Sequence, residues 1–182
     1  MPMLEQRIQQ QFFESADLLS QTAEALSKPI ADAAQALVGC ITAGGKVLLC
    51  GSGPAAVLAQ HGAALMVGRF ERERPGLAAL AVSGEIEVRA LGSPGDVLLA
   101  LTTGGPAPGL AAALQAAQGR DMTVVALTGR DAGSLLAQLS ETDVQIAVPH
   151  DRAARIHEAH TLVLHCLCDA VDLQLLGEQE PT

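Results

Sequence analysis

Residues 96–133 read DVLLALTTGGPAPGLAAALQAAQGRDMTVVALTGRDAG, and two apolar runs in this stretch decide the fold. DVLLAL (96–101) and TVVAL (123–127) are short, continuous hydrophobic segments, each followed by a loop of small residues. A strand with one wet face alternates polar and apolar side chains, and these do not alternate, so both faces are covered, as in a parallel sheet. The segment between them, about 107–118, is long enough to cross from one parallel strand to the next as a helix. Outward from this unit, KVLLC (46–50), LAALAV (77–82) and VQIAV (144–148) repeat the strand pattern. Helical segments are expected at about 55–68 and 133–139, with a last helix from about Arg152 to Leu176. The alternation predicts an α/β fold, a doubly wound parallel five-stranded sheet flanked by helices.

Before the sheet, Leu4, Ile8, Phe12, Leu19, Ala23 and Leu26 recur at three- to four-residue multiples through a Gln- and Glu-rich segment, which predicts a long amphipathic helix. A second helix is expected from about Ile30 to Thr42, ending at Gly44-Gly45. The chain divides into N-terminal helices (1–43), an α/β core (46–150) and a C-terminal helix (151–176) of one domain over 1–182, with no repeat or linker. Between Val82 and Asp96 only about a dozen residues intervene. Either a single helical turn near Glu87 to Leu91 makes the crossing, or these two strands are not sheet neighbours.

With 49% hydrophobic and only 2% aromatic residues, the core must be built from Ala, Leu, Val and Ile, which suits close helix-on-sheet packing. Eleven basic against 20 acidic residues give a formal charge of −9, which disfavours direct binding to nucleic acid. Cys40, Cys50, Cys166 and Cys168 lie in apolar stretches without a C-x-x-C pair, and are expected to be reduced core thiols. The sequence shows no signal-peptide pattern and no apolar run of membrane-spanning length, so a cytoplasmic protein without membrane contact is expected.

Three strands run directly into small-residue loops: Gly51-Ser52-Gly53-Pro54, Thr102-Thr103-Gly104-Gly105-Pro106 and Thr128-Gly129-Arg130-Asp131. In an open parallel sheet such loops meet beyond the carboxyl ends of the strands, where helix N-termini favour anions. Ser52, Gly53, Thr102, Thr103 and Gly104 are therefore the expected binding residues for a phosphate or phosphorylated sugar. The alternative is that these glycines only permit tight strand-to-helix turns. A dinucleotide fingerprint, G-x-G-x-x-A at 51–56, is a weaker match, because the acidic residues 20 positions on, Glu71 and Glu73, precede the second strand.

The segments AGGKVLLCGSG, AQHGAALMVGRFERERPGLAAL, LGSPGDVLLALTTGG, MTVVALTGRDAG, VPHDRAARIHEAH and LHCLCDAVD resemble, in order, the sugar isomerase (SIS) domain family. Within it they resemble the phosphoheptose isomerase branch and the related DnaA initiator-associating proteins. The resemblance implies a homo-oligomer, a dimer or a dimer of dimers, and a phosphosugar site. The isomerase's serines at that site fall here on Ala55, Thr102, Gly104 and Ala107, and its catalytic glutamate falls on Leu65, which cannot move a proton. The branch's extra segment between the second and third strands is largely missing here.

Its metal-holding positions fall on His61, His157 and His165, which implies a possible zinc site of three imidazoles; the other reading is metal-free histidines. Glu85 and Glu87, beyond a strand end, are candidates to stand in for the lost base, the simpler reading being a solvated turn. These departures predict that no residue is catalytic and that the chain is a non-catalytic oligomer binding the replication initiator DnaA. The alternatives are a divergent isomerase of sedoheptulose 7-phosphate or a sugar-phosphate-binding regulator. By resemblance, Leu175 and Leu176 form the partner-binding pair, exposed before a polar tail, GEQEPT.

Overall fold

The computed structural model describes residues 2–178, and the polar tail expected at the C-terminus lies outside them from position 179 onward. The elements are α1 (Pro2–Thr42), β1 (Val47–Gly51), α2 (Ala55–Val67), β2 (Ala79–Val82), α3 (Glu85–Leu91), β3 (Val97–Leu101), α4 (Pro108–Gln118), β4 (Thr123–Thr128), a 3₁₀ turn (Gly133–Gln138), β5 (Val144–Ala147) and α5 (Ala153–Leu176). All five strands are parallel, in the order β2-β1-β3-β4-β5. Both β2 and β3 pair with β1, so they are not neighbours, and the short link between them needs only the seven residues of α3.

The apolar runs are buried on both faces, as their lack of alternation requires. Val47, Leu49, Val97 and Leu99 pack with α1, α2 and α5, while Leu48, Cys50, Leu98 and Ala100 pack with α3 and α4. At the amino ends of the strands Asp96, 2% exposed, accepts from the backbone N–H of Lys46 and Ser93 and pairs with the Lys46 ammonium at 2.6 Å. A carboxylate at the head of an apolar run thus ties the starts of β1 and β3 together.

The N-terminal region departs from the sequence reading. It is one helix of 41 residues that runs through Pro29 instead of breaking there. Proline removes one donor and crowds the preceding turn, but Leu18, Ala33, Ala34 and Leu37, on both sides of it, are buried against the body of the protein, and that packing holds the helix together. The expected apolar stripe divides in two. Leu4, Ile8 and Phe12 are exposed, and the buried face begins at Leu18. Alongside α5, α1 is clamped by charges: Arg155 donates to the Gln11 carbonyl at 2.6 Å, and Arg152 pairs with Glu14 at 2.6 Å.

Cys40, Cys50 and Cys168 are buried free thiols as expected, whereas Cys166 is exposed, because the outer face of α5 reaches solvent there. Burial pushes the Cys50 thiol up to about 11 and the Cys168 thiol up to about 12, so neither is a thiolate at neutral pH. Helix α5, 24 residues long, is apolar enough by composition to cross a membrane, but Ile156, Val163, Leu164, Leu167 and Val171 form its buried face in this fold.

Arg74 lies in the run ERERPG, and its side chain is 1% exposed. Its Nε donates to Asp172 Oδ1 at 2.6 Å, and its terminal nitrogens donate to the carbonyls of Leu65 and Met66 at 3.0 and 2.8 Å. The guanidinium caps the C-terminal carbonyls of α2, where the helix dipole favours a cation, and joins them to α5. Replacing Asp172 by alanine strands this buried cation. Urea unfolding should then show a loss of about 3–5 kcal/mol, whereas Asp32→Ala, which removes an exposed pair with Lys28, should change stability by less than about 1 kcal/mol.

Candidate functional site

In register, Gly51 of β1 lies beside Leu101 of β3, and Leu101 beside Leu127 of β4. The loops that follow these strands therefore leave the same edge of the sheet. From it α2 packs on one face and α4 on the other, so the space between the ends of β1 and β3 is the switch point where ligands of open α/β sheets bind. The loops touch one another. At Gly104, φ +119°, a Cβ would overlap the Asp131 carbonyl oxygen, and at Gly129 a Cβ would overlap the Thr103 carbonyl oxygen. Glycine at 104 is thus required twice, by its positive φ and by this close approach.

All five expected binding residues lie in these loops, but some of their donors are engaged. The N–H groups of Ala55, Ala56 and Val57, which open α2, donate to the carbonyls of Ser52, Gly53 and Pro54, and the Ser52 N–H donates to Leu101. Thr102, 2% exposed, accepts from the Gly104 N–H at 3.2 Å. Ser52, Thr103 and Gly104 are half-buried and Gly53 is exposed, so these four line the accessible part of the crevice.

The three histidines divide. His61 on α2 and His165 on α5 meet Nε2 to Nε2 at 3.2 Å, with ring centroids 5.5 Å apart, and Phe70 packs on His165 at 5.4 Å. Sequence reading missed Phe70, although it is the only aromatic residue outside α1. His157 lies two turns before His165, about 12 Å along the helix, and its buried Nε2 has no hydrogen-bond partner. Among the described residues no group of three His, Cys, Asp or Glu side chains converges on one point. The described side chains bring two imidazoles together, fewer than the three protein ligands that a catalytic zinc takes.

Leu65 is half-buried and packs against the core shared by α1, α2 and α5. Glu85 and Glu87 cannot replace a base beside His61, because α3 lies across the sheet from α2 and α5. Glu87 accepts from the Ser83 N–H, and Glu85 pairs with Arg89 on the same helix.

The family model for the SIS domain matches residues 11–129. The chain belongs to the SIS domain family. A phosphoheptose isomerase of Methylibium petroleiphilum is 60% identical to it over 200 aligned positions, covering 100% of each chain. Solved structures of phosphoheptose isomerases from Neisseria gonorrhoeae and Francisella tularensis are each 38% identical with a TM-score of 0.87. The first match covers 93% of this chain and 98% of the other, the second 94% and 99%. The chain thus falls in the phosphoheptose isomerase branch.

These relatives overturn the expectation of a non-catalytic initiator-binding protein, since full-length identity at this level is shared with proteins named as isomerases. Leu175 and Leu176 lose the partner on which their assignment rested. Leu175 packs against the core and Leu176 is 44% exposed.

His160, fully buried, donates from Nε2 to the Thr128 carbonyl at 3.1 Å and so holds the end of β4, while its Nδ1 has no partner. Burial, reinforced by nearby His157, pushes this imidazole down to about 4. Its folded value is below the ordinary value of about 6.5, so the stabilisation from keeping it neutral is complete above pH 6.5 and is lost as pH falls toward 4. Urea unfolding from pH 7 to 4 should show the wild type losing up to about 3 kcal/mol more than His160→Leu over that window.

Proposed function

We propose that this chain is a divergent phosphoheptose isomerase acting on a seven-carbon ketose phosphate of the sedoheptulose 7-phosphate class. The observation that carries the reading is the 60% identity over the whole chain to a phosphoheptose isomerase. In the site, the phosphate would lie where Ser52, Gly53, Thr103 and Gly104 line the switch-point crevice, facing the hydroxyls of Ser52 and Thr103 and the backbone N–H groups of Gly53 and Thr103. Aldose–ketose isomerisation moves a proton between neighbouring carbons, which takes a base to remove it and an acid to protonate the oxygen. In the free chain one Nε2 of the His61–His165 pair donates to the other at 3.2 Å, so a substrate would have to part the two rings before one could take its proton and the other give one. This pair would supply both functions where Leu65 supplies none.

A second reading, a sugar-phosphate-binding regulator without turnover, is favoured by the side chain of Leu65 packed against the core. One experiment separates the two. Incubation of the purified chain with sedoheptulose 7-phosphate, followed by NMR, should show an aldose phosphate accumulating, and His61→Ala or His165→Ala should lower kcat by about 10²–10⁴-fold. Saturable binding with no product would sink the isomerase reading and leave the regulator.

Self-association belongs to the same proposal. Met3, Leu4, Ile8, Phe12 and Phe13 are 49–82% exposed on the first turns of α1, a solvent-facing apolar patch that a second copy would cover. Light scattering should find an oligomer that Phe12→Asp with Phe13→Asp reduces toward monomer. A wild-type monomer at micromolar concentration would refute it.

A further inference from the structure

His160 is fully buried on α5, yet its Nδ1 has no partner among the described residues. A buried polar atom in that state costs free energy that an apolar side chain of similar volume would not. What the imidazole gains is one hydrogen bond, from Nε2 to the Thr128 carbonyl at 3.1 Å. That carbonyl is not short of a donor, because the Val148 N–H, just past β5, already reaches it at 2.9 Å. Satisfying the backbone therefore does not account for a histidine here. Two donors from different elements on one carbonyl fix the orientation of the peptide that follows Thr128, and Gln145 of β5 holds the Thr128 hydroxyl as well, at 3.2 Å.

That peptide leads to the crevice. At Gly129, the next residue, a Cβ would overlap the Thr103 carbonyl oxygen and would also meet the Ile156 side chain of α5. The same closeness recurs between Gly104 and the Asp131 carbonyl. The second crevice loop thus rests on the third, and the third hangs from α5 through His160. Thr103 presents its hydroxyl and its backbone N–H to the place assigned to the phosphate. Binding groups of this kind work when surrounding residues hold them within about 0.5 Å of the productive geometry. We propose that His160 is a positioning residue for the anion crevice: through Thr128 and Gly129 it sets where the Thr103 peptide stands, and with it two of the donors that meet the phosphate. This rests on the reading of the site given under Proposed function.

The test uses the full chain at neutral pH, with inorganic phosphate as the probe in calorimetry and with ¹H–¹⁵N spectra of the backbone amides. His160→Gln keeps a donor near the former Nε2, whereas His160→Leu and His160→Met fill the space without one. Leu164→Ala opens a cavity in the same helix where it faces Gly62, and controls for a general loosening of α5. His160→Leu and His160→Met should each weaken phosphate by about 2- to 10-fold, the worth of one hydrogen bond. Both should also shift the amide resonances of Thr103 and Gly129. His160→Gln should restore the affinity and the resonances, and Leu164→Ala should melt earlier with phosphate affinity unchanged. Wild-type affinity in the folded Leu or Met variant overturns the positioning role and leaves the proposed function standing. An equal loss in His160→Gln, or in Leu164→Ala, does the same, because packing and not the donor would then be at work. A wild-type chain that binds no phosphate overturns the crevice itself and the role of His160 with it.

Discussion

The guanidinium of Arg74 sits between two helices far apart in the chain, and its ion pair with Asp172 is almost wholly removed from water, each side chain being 1% exposed. A charge in that position must be matched at close range or the fold cannot bury it. The match is made from both sides: carbonyls at the end of α2 accept from the terminal nitrogens, and the carboxylate of α5 takes Nε. This fixes how α2 ends, how the chain turns into β2, and how α5 lies against α2. It thereby sets the approach of His61 to His165, one on each helix.

The sheet adds a second constraint. With β1 flanked by β2 and β3, the chain leaves the strand ends toward opposite faces, and the loops after β1 and β3 part to leave a crevice. Chemical groups are sorted by face as a result. The histidine pair belongs to the α2 and α5 side, and the acidic residues of α3 belong to the other, so nearness in sequence to a strand end does not bring Glu85 or Glu87 to the imidazoles. The alignment to the Methylibium relative runs to 200 positions for a chain of 182 residues, so that relative has residues for which this chain has no counterpart. Here α3 alone joins β2 to β3.

The crevice belongs to a chain of the phosphoheptose isomerase branch, and its side chains are sorted by helix packing. At the position where the resemblance implies a glutamate, Leu65 packs against the core, and His61 and His165 meet nearby. Imidazole is a side chain that can serve as acid or base, which is why the proposed function assigns the proton transfers to this pair. The orientation of both rings depends on helix packing, with Phe70 against one of them.

Sequence alone determined the five strands, their parallel pairing and the three loops at their ends, because unbroken apolar runs followed by glycine leave a chain few other ways to bury itself. It also carried the family, through segments spread along the whole chain. It could not show that α1 continues through Pro29, since local propensity stops a helix there and only burial on both sides outweighs that cost. Nor could it show that Arg74, in a run of charges that reads as solvated, is the buried cap of a helix, or that two of three candidate histidines meet while the third stays apart. Those outcomes depend on which helix faces lie against each other. Helix packing sets those distances through contacts between residues about a hundred positions apart, and no local pattern in the sequence records them.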